Sequence, residues 1–306
     1  MENNLLIVGG SGFIGRNLAI KSIDRGFNTT VISFNKVDDE KKILNVSYIQ
    51  VDITNLPLLK EKISNTVFHY VVNLSGYIDH GLFLDGGSAA INTHFNGLQN
   101  LLQAINWTKL KRFVQIGSSD EYGSLSAPQS EDMCEIPISS YSLGKVASTK
   151  LLQMLHQTEN FPAVILRLFL VYGEGQKTNR FLPQVIQGCL FKKNFPVSEG
   201  EQLRDFCHID DISEGILKSL KKNNVNGEII NLASGNPISI RTIIEEIQNL
   251  IGTGSPDFGK IAYRKSENMK LYASTNKAMK LLNWKPQIHL KQGLTETIKF
   301  YQNIDL

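Results

Sequence analysis

The 306-residue chain is poor in cysteine, in long apolar runs and in excess charge, and each shortage excludes a class of protein. Its three cysteines, Cys134, Cys189 and Cys207, are scattered and odd in number, and none stands at metal-ligand spacing. They read as reduced thiols of a cytoplasmic protein, with no disulfide framework and no metal expected. No apolar stretch approaches the ~20 residues of a membrane-spanning helix. "LLIVGG" arrives too early for a signal segment, so no membrane partner is expected. Thirty-two basic against 29 acidic residues leave a net +3, and pairs such as Lys41-Lys42 are too small for a nucleic-acid footprint. What remains is an ordinary globular composition, 42% hydrophobic and 20% charged.

What is present is a regular alternation. "LLIV" (5–8) is a short apolar run stopped by glycine, as buried parallel strands are. "GGSGFIG" follows, with Gly9, Gly12 and Gly15 spaced GxxGxxG, then a helix-like "RNLAIKSIDRG" and a β-branched "TTVISF". Strand, glycine turn, helix and strand in that order cradle a pyrophosphate on a helix N-terminus, where a side chain would hold the backbone off the phosphates. Gly9, Gly12, Phe13, Ile14 and Gly15 are therefore candidate cofactor residues. Strand candidates at 48–52, 67–76, 112–119 and 163–173, with helical stretches near 88–106 and 139–157, predict a Rossmann-type, doubly wound parallel sheet. Shorter strands and amphipathic helices beyond about residue 166 predict a smaller C-terminal α/β substrate domain. The division expected is 1–165 for the dinucleotide and 166–306 for the substrate, with segments interleaved.

Ligands of such sheets bind past the carboxyl ends of the strands, and "GSSDEYG" (117–123) lies at such an end. "YSLGK" downstream sets Tyr141 and Lys145 four residues apart, on one face of a helix. Hydride transfer turns a carbonyl into an alkoxide, or the reverse, so a proton must be exchanged at that oxygen. A tyrosine of pKa about 10 is a poor base at neutral pH, and an ammonium nearby favours its phenolate. Tyr141 is the expected acid/base and Lys145 its tuner. The second strand ends in "ISFNK", without the carboxylate that NAD-preferring folds place on the ribose. Ser33, Asn35 and Lys36, with Arg16 beyond the glycine turn, suit a 2′-phosphate. NADP(H) is therefore favoured, with NAD(H) open because Asp38 and Asp39 follow closely.

The set GxxGxxG, Ser118 and YxxxK comes with "VDITN", "LVYGEGQ", "EGEQLRDFCHIDD", "INLASG" and "STNKAMKLLNWKP". Together they resemble, over nearly the whole chain, the extended short-chain dehydrogenase/reductase family of nucleotide-sugar epimerases, dehydratases and reductases. The resemblance implies that Ser118 hydrogen-bonds the reacting oxygen and that Lys145 also holds the nicotinamide ribose. It places Asp52 and Ile53 beside adenine, and adds Leu74 to the cofactor set. It implies that Arg204 and Arg264 grip the diphosphate of a nucleotide sugar, that Asn179 borders the nucleotide, and that Ser119 and one of Tyr77, Asp79 or His80 from the loop 75–83 belong to the sugar pocket. A surface ion pair is the plainer reading of either arginine. The resemblance further implies a homodimer through the helices near 88–106 and 139–157. His94 and Leu170 depart from it, each standing where the family has an asparagine.

The acids bear on the reaction. The 4,6-dehydratases of this family carry Thr-Asp-Glu or Thr-Ser-Glu here, their glutamate taking a proton from carbon 5 of the sugar. This chain reads Ser118, Ser119, Asp120, with Glu121 one place late. A one-residue shift in extended chain turns a side chain to the other face. Glu121 is thus expected to point away, in a capping or ion-pair job; Asp120 holds the right place, a methylene short, and stays a catalytic candidate. The run is more similar to reductases of nucleotide-linked 4-keto-6-deoxy sugars. NADPH-dependent 4-keto reduction in deoxysugar biosynthesis is therefore the expected function. A 4-epimerase or carbon-4 oxidase with retained NAD comes next, then a 4,6-dehydratase. A non-enzymatic cofactor sensor comes last, since such members usually lack the Tyr/Lys pair.

Overall fold

The computed structural model describes residues 3–263 and 267–303. Its first half runs β1 (Asn4–Val8), α1 (Phe13–Asp24), β2 (Asn28–Ser33), β3 (Val46–Gln50), α2 (Leu56–Ile63), β4 (Tyr70–Asn73), α3 (Ser88–Ile91), α4 (Gly97–Ala104), β5 (Arg112–Ser118) and α5 (Ser140–Glu159). Next come β6 (Ala163–Leu168), β7 (Leu170–Tyr172), α6 (Phe181–Leu190), β8 (Asn194–Pro196), β9 (Leu203–His208) and α7 (Ile209–Lys221). The chain ends with β10 (Ile229–Leu232), β11 (Pro237–Ser239), α8 (Ile240–Ile251), β12 (Ser255–Asp257), β13 (Lys270–Leu271), α9 (Asn276–Leu282) and α10 (Leu290–Gln302).

Seven parallel strands form the large sheet in the order β10-β6-β5-β4-β1-β2-β3. Successive side chains of a strand face opposite sides, so a strand buried on both faces must be apolar throughout. Leu5, Ile7, Val31, Val72 and Val114 pack on one face with Leu18 of α1 and Ile212 and Ile216 of α7. Leu6, Val8, Ile32 and Phe113 pack on the other with Leu59, Leu98, Leu101 and Leu152. That is the doubly wound sheet expected. Its outer strand β10 comes from the C-terminal half of the chain. Strand order reverses around β1, which lies between β2 and β4, and this opens the crevice at the carboxyl ends of the strands.

The apolar run 163–173 is not one strand. It breaks at Phe169: β6 completes the large sheet, whereas β7 pairs with β9 in a small sheet that also holds β11 and β13. The helical stretch near 88–106 is likewise interrupted. A π-type turn at Asn92–Asn96 separates α3 from α4, and it buries His94. Such turns rotate the following helix and often occur at functional positions. Among the described residues, no helix is long and apolar enough to cross a membrane.

The glycine turn after β1 is sterically committed. Gly9 adopts φ +79°, and a Cβ on Gly15 would lie 2.5 Å from both Gly10 Cα and Gly9 O, which are backbone atoms. Gly15→Ala should therefore cost about 1–3 kcal/mol through overpacking. Urea unfolding checks this; an unchanged midpoint would show that the turn relaxes freely.

Candidate active site

β5 ends at Ser118, where the chain leaves the sheet in a tight 3₁₀ turn, Ser119–Tyr122. The turn is closed by a reciprocal cap: Ser118 Oγ accepts from Asp120 N at 3.2 Å, and Glu121 Oε1 accepts from Ser118 N at 2.8 Å. Glu121 faces inward and is fully buried. Its carboxylate also accepts from Thr149 Oγ1 (2.8 Å) and Arg167 Nε (3.1 Å), and Arg167 reaches on to Glu135 at 2.6 Å. Glu121 thus has the capping and ion-pair job expected, although a tight turn, and not extended backbone, aims it there. The neighbouring Asp120 is left near the surface, 3.5 Å from His80 Nε2.

α5 starts at a second reciprocal cap, in which Ser139 Oγ accepts from Ser142 N (3.1 Å) and Ser142 Oγ accepts from Ser139 N (2.9 Å). This phases the helix so that Tyr141 and Lys145, one turn apart, both pack towards the end of β5. Lys145 is buried, donates to Ile116 O at 2.8 Å and lies 5.9 Å from the Tyr141 ring centroid. The Ser118 side chain is within hydrogen-bonding reach of the Tyr141 phenol. Two imidazoles meet the tyrosine ring edge-on, His80 at 5.7 Å and His94 at 5.1 Å. Ser118, Asp120, Tyr141 and Lys145 are therefore brought together, and His80 and His94 join them.

Burial governs the charges. It pushes the Tyr141 phenol above its ordinary value of 10, with Asp120 and Glu121 adding to the effect and Ser118 and Arg180 opposing it. Burial also draws Lys145 down to about 8, against the pull of Glu121 and Asp120. In the ligand-free protein, burial of the phenol therefore outweighs any tuning by the lysine, and the resting tyrosine holds its proton. His94 is held down to about 3, first by burial and then by Lys145. Its Nε2 faces Tyr77 O at 3.0 Å and so carries the ring proton, while its buried Nδ1 has no hydrogen-bond partner.

The cofactor candidates line a second part of the crevice. α1 begins at Gly12 without a side-chain cap and with no acid in its first turn, leaving its N-terminal amides available to an anion. A Cβ on Gly12 would meet only Gly9 O, at 3.3 Å, so this face of the turn is open, and Phe13 and Ile14 follow as the first helical residues. These features fit the pyrophosphate of a dinucleotide. Leu74 O lies against Gly9, and Ile53 is buried beneath Gly97. Asp52 accepts from Thr54 N at 2.8 Å. Past β2, Asn35 and Lys36 are exposed, but the Ser33 hydroxyl is buried and donates to Asn35 O at 2.7 Å. Arg16 donates to Lys41 O, and Asp38 and Asp39 pair with Lys41 and Lys42.

Of the substrate candidates, Arg204 on β9 is buried and paired with Glu267, and it also donates to Leu203 O at 2.8 Å. Asn179 is exposed just before α6, next to Arg180. Tyr77 is half exposed, and Ser119 is buried at the start of the 3₁₀ turn. Arg264 lies outside the described residues. One cluster of metal-ligating residue types occurs among the described residues, Glu174, His208 and Glu296. His208 Nδ1 accepts from Asp210 N at 3.3 Å, so its proton sits on Nε2, facing Glu174 at 3.4 Å. A proton, not a lone pair, is presented to the carboxylates, which does not suit an ion.

Sequence reasoning did not foresee the packing of His94 on Tyr141 or the identity of the partner of Glu121. A signal for the second existed: Arg167 is the one charge in the otherwise apolar "AVILRL", and a charge there demands a partner.

A family model described as "NAD dependent epimerase/dehydratase family" matches residues 5–233. The chain is 29% identical to a UDP-glucuronate 4-epimerase of Thermodesulfobacterium geofontis, covering 98% of this chain and 97% of that one. It is 26% identical to a dTDP-glucose 4,6-dehydratase of Haemophilus influenzae, with 97% of each covered. Among solved structures, UDP-glucuronic acid 4-epimerase from Bacillus cereus, in complex with UDP-glucuronic acid and NAD, superposes with a TM-score of 0.86 at 26% identity, covering 98% of this chain and 99% of that one.

One consequence concerns acid stability. The unfolded chain protonates the His94 ring below about 6.5, whereas the native one does so only near 3. In that window the unfolded state binds more protons, so stability falls as pH drops, by up to about 1.4 kcal/mol per pH unit from this group. Urea unfolding of His94→Asn across the window should give a flatter pH profile than the native sequence. Equal slopes would show that His94 takes up its proton normally in the folded state.

Proposed function

The chain belongs to the NAD dependent epimerase/dehydratase family, and on that premise we propose that it is a nucleotide-sugar 4-epimerase that retains NAD. One observation carries the choice of reaction. The position of the dehydratase acid is held by Asp120, a methylene short and drawn to His80 at 3.5 Å, while the longer Glu121 beside it is locked beneath the turn by Arg167, Thr149 and the Ser118 amide. The full-length likeness to a 4-epimerase and the NAD bound in a solved relative support the same reading over the reductase expected from the motif alone. They also favour NAD over NADP.

Bound NAD supplies the acceptor, and then the donor, of the carbon-4 hydride. The rest falls to side chains of this protein. Tyr141, as the phenolate that the positive charge of bound NAD and Lys145 would favour after its resting proton passes to solvent, takes the proton of the 4-hydroxyl as the ketone forms and returns it on reduction, and Ser118 hydrogen-bonds the same oxygen. Lys145, fixed to Ile116 O, supplies positive charge beneath the tyrosine and holds the nicotinamide ribose. The glycine turn and α1 hold the pyrophosphate. Arg204 exchanges Glu267 for the sugar-nucleotide diphosphate, which its planar fork suits. Inversion requires hydride to return to the opposite face, so the keto sugar must turn within the pocket.

Asp120 narrows the substrate. We infer that its carboxylate, partly exposed at the strand end beside His80, faces the sugar, where it would repel a second carboxylate. The sugar is therefore a neutral hexose in preference to a uronate.

The test mixes the purified protein, without added cofactor, with UDP-glucose, UDP-glucuronate and dTDP-glucose, and follows carbon-4 configuration by NMR. Epimerisation of a neutral sugar is expected, with NAD released on denaturation. Tyr141→Phe should lower the rate on the order of 10²–10⁴-fold. Asp120→Ser should raise the kcat/KM ratio of uronate to neutral sugar. Loss of water from the sugar would replace this reading with a dehydratase. Stoichiometric NADPH oxidation on a 4-keto sugar would replace it with a reductase.

A further inference from the structure

His94 joins two parts of the site that lie far apart in the chain. Its imidazole meets the Tyr141 ring edge-on, with centroids 5.1 Å apart and planes at 78°. The same ring donates from Nε2 to Tyr77 O at 3.0 Å, and so ties down the loop that follows β4. Its surroundings hold it in place. His94 O accepts from Ser148 Oγ of α5 at 3.0 Å, and a Cβ on Gly144, also of α5, would come within 3.2 Å of the His94 Cβ. On the loop side Gly76 has φ +104°, and a Cβ there would lie 2.1 Å from His94 Cε1. Only glycine leaves room for this ring. Nδ1 rests against Gly76 and has no hydrogen-bond partner, so a proton there would be stranded and the ring works uncharged. An asparagine, the residue of the family at this place, has no ring to set against the tyrosine.

We propose that His94 is a positioning residue with two separable tasks: its ring holds the Tyr141 phenol against the reacting oxygen, and its Nε2–H fixes the loop that borders the sugar. The inference rests on the 4-epimerase reading above. No proton passes through His94, which meets Tyr141 by ring contact and not by a hydrogen bond. Tyr141 stands in the first turn of α5, and its oxygen must come within hydrogen-bond reach of the carbon-4 oxygen in both half-reactions. A displacement of about 1 Å can cost on the order of 10²-fold in rate, and a rigid ring packed beside the phenol limits that displacement. The second task concerns binding. The loop tied at Tyr77 O brings His80 to 3.5 Å from Asp120 and its ring to 5.7 Å from that of Tyr141. Without the tie the loop drifts from the sugar, while the phenol keeps its neighbour. The first task is therefore read in kcat and the second in KM.

Two substitutions separate them. His94→Gln keeps an amide donor for Tyr77 O and removes the ring; His94→Phe keeps a ring and removes the donor. Carbon-4 epimerisation of UDP-glucose or dTDP-glucose, whichever the native protein turns over, is followed by NMR. Rates are expressed per mole of NAD released on denaturation, so that unfolded chains are not counted. His94→Gln should lower kcat on the order of 10–10²-fold with little change in KM. His94→Phe should raise KM roughly 2–10-fold with little change in kcat. Added to Tyr141→Phe, His94→Gln should cause no further loss, because it acts through the hydroxyl already removed. A further loss there, or an unchanged kcat in His94→Gln alone, overturns the positioning role and leaves the 4-epimerase reading standing. The same kcat and KM changes in both substitutions overturn the division of tasks. Absence of epimerisation by the native protein overturns the reading and the inference together. If the larger phenylalanine ring displaces Gly76 and NAD is lost, the His94→Gln cycle decides alone.

Discussion

A guanidinium at the centre of an apolar strand sets the conditions for the rest of the site. Arg167 is fully buried in β6, and removing such a group from water costs several kcal/mol unless a carboxylate meets it. Glu121 does so from the neighbouring strand end, Glu135 adds a second carboxylate, and the Tyr122 ring lies 4.5 Å from the guanidinium carbon. Removing one partner of such a pair costs about 3–5 kcal/mol, because the other charge is then stranded. The pair therefore fixes the conformation of the 3₁₀ turn. With Glu121 drawn inward and bonded to the Ser118 amide, Ser118 and Asp120 are left towards the crevice. An ordinary structural requirement, satisfying a buried charge, thereby arranges the polar groups of the site.

The same carboxylate links structure to charge at the site. Lys145 is buried enough to lose much of its preference for the charged form, and Glu121 and Asp120 are the groups that oppose that loss. Those carboxylates also act on Tyr141 in the opposite sense for function, discouraging phenolate. With burial as the larger influence on both, the result is a protonated phenol and a lysine drawn down to about 8. His94 remains uncharged over the neutral range, so it packs against the tyrosine without adding a competing positive charge. The site is thus tuned mainly by what surrounds the pair, and less by the distance between its two members.

The fold was largely legible in the residues. Short β-branched runs closed by glycine, alternating with helical stretches, have few solutions other than a doubly wound sheet, and GxxGxxG located its first turn. Tyr141 and Lys145 were legible because helical spacing alone puts them on one face. The break at Phe169 was not, because "AVILRLFLVYG" is apolar on both sides of it, and only pairing partners distinguish β6 from β7. The turn after β2 was read from composition as a 2′-phosphate site. The structure adds that the Ser33 hydroxyl donates to Asn35 O, a local bond that composition does not reveal.

By itself the sequence determined the architecture, the place of the glycine turn at the strand ends and the Tyr141–Lys145 pair on one helix face. Each depends on local periodicity, on glycine sterics or on short spacings along one element. The tertiary structure decided which acid faces the crevice and which supports it, since Glu121 and Arg167 are 46 residues apart and meet only when β5 and β6 pair. It also decided that His80 and His94 border Tyr141. Those contacts join α5 to the loop after β4 and to the π-type turn, and no short-range pattern in the chain encodes them.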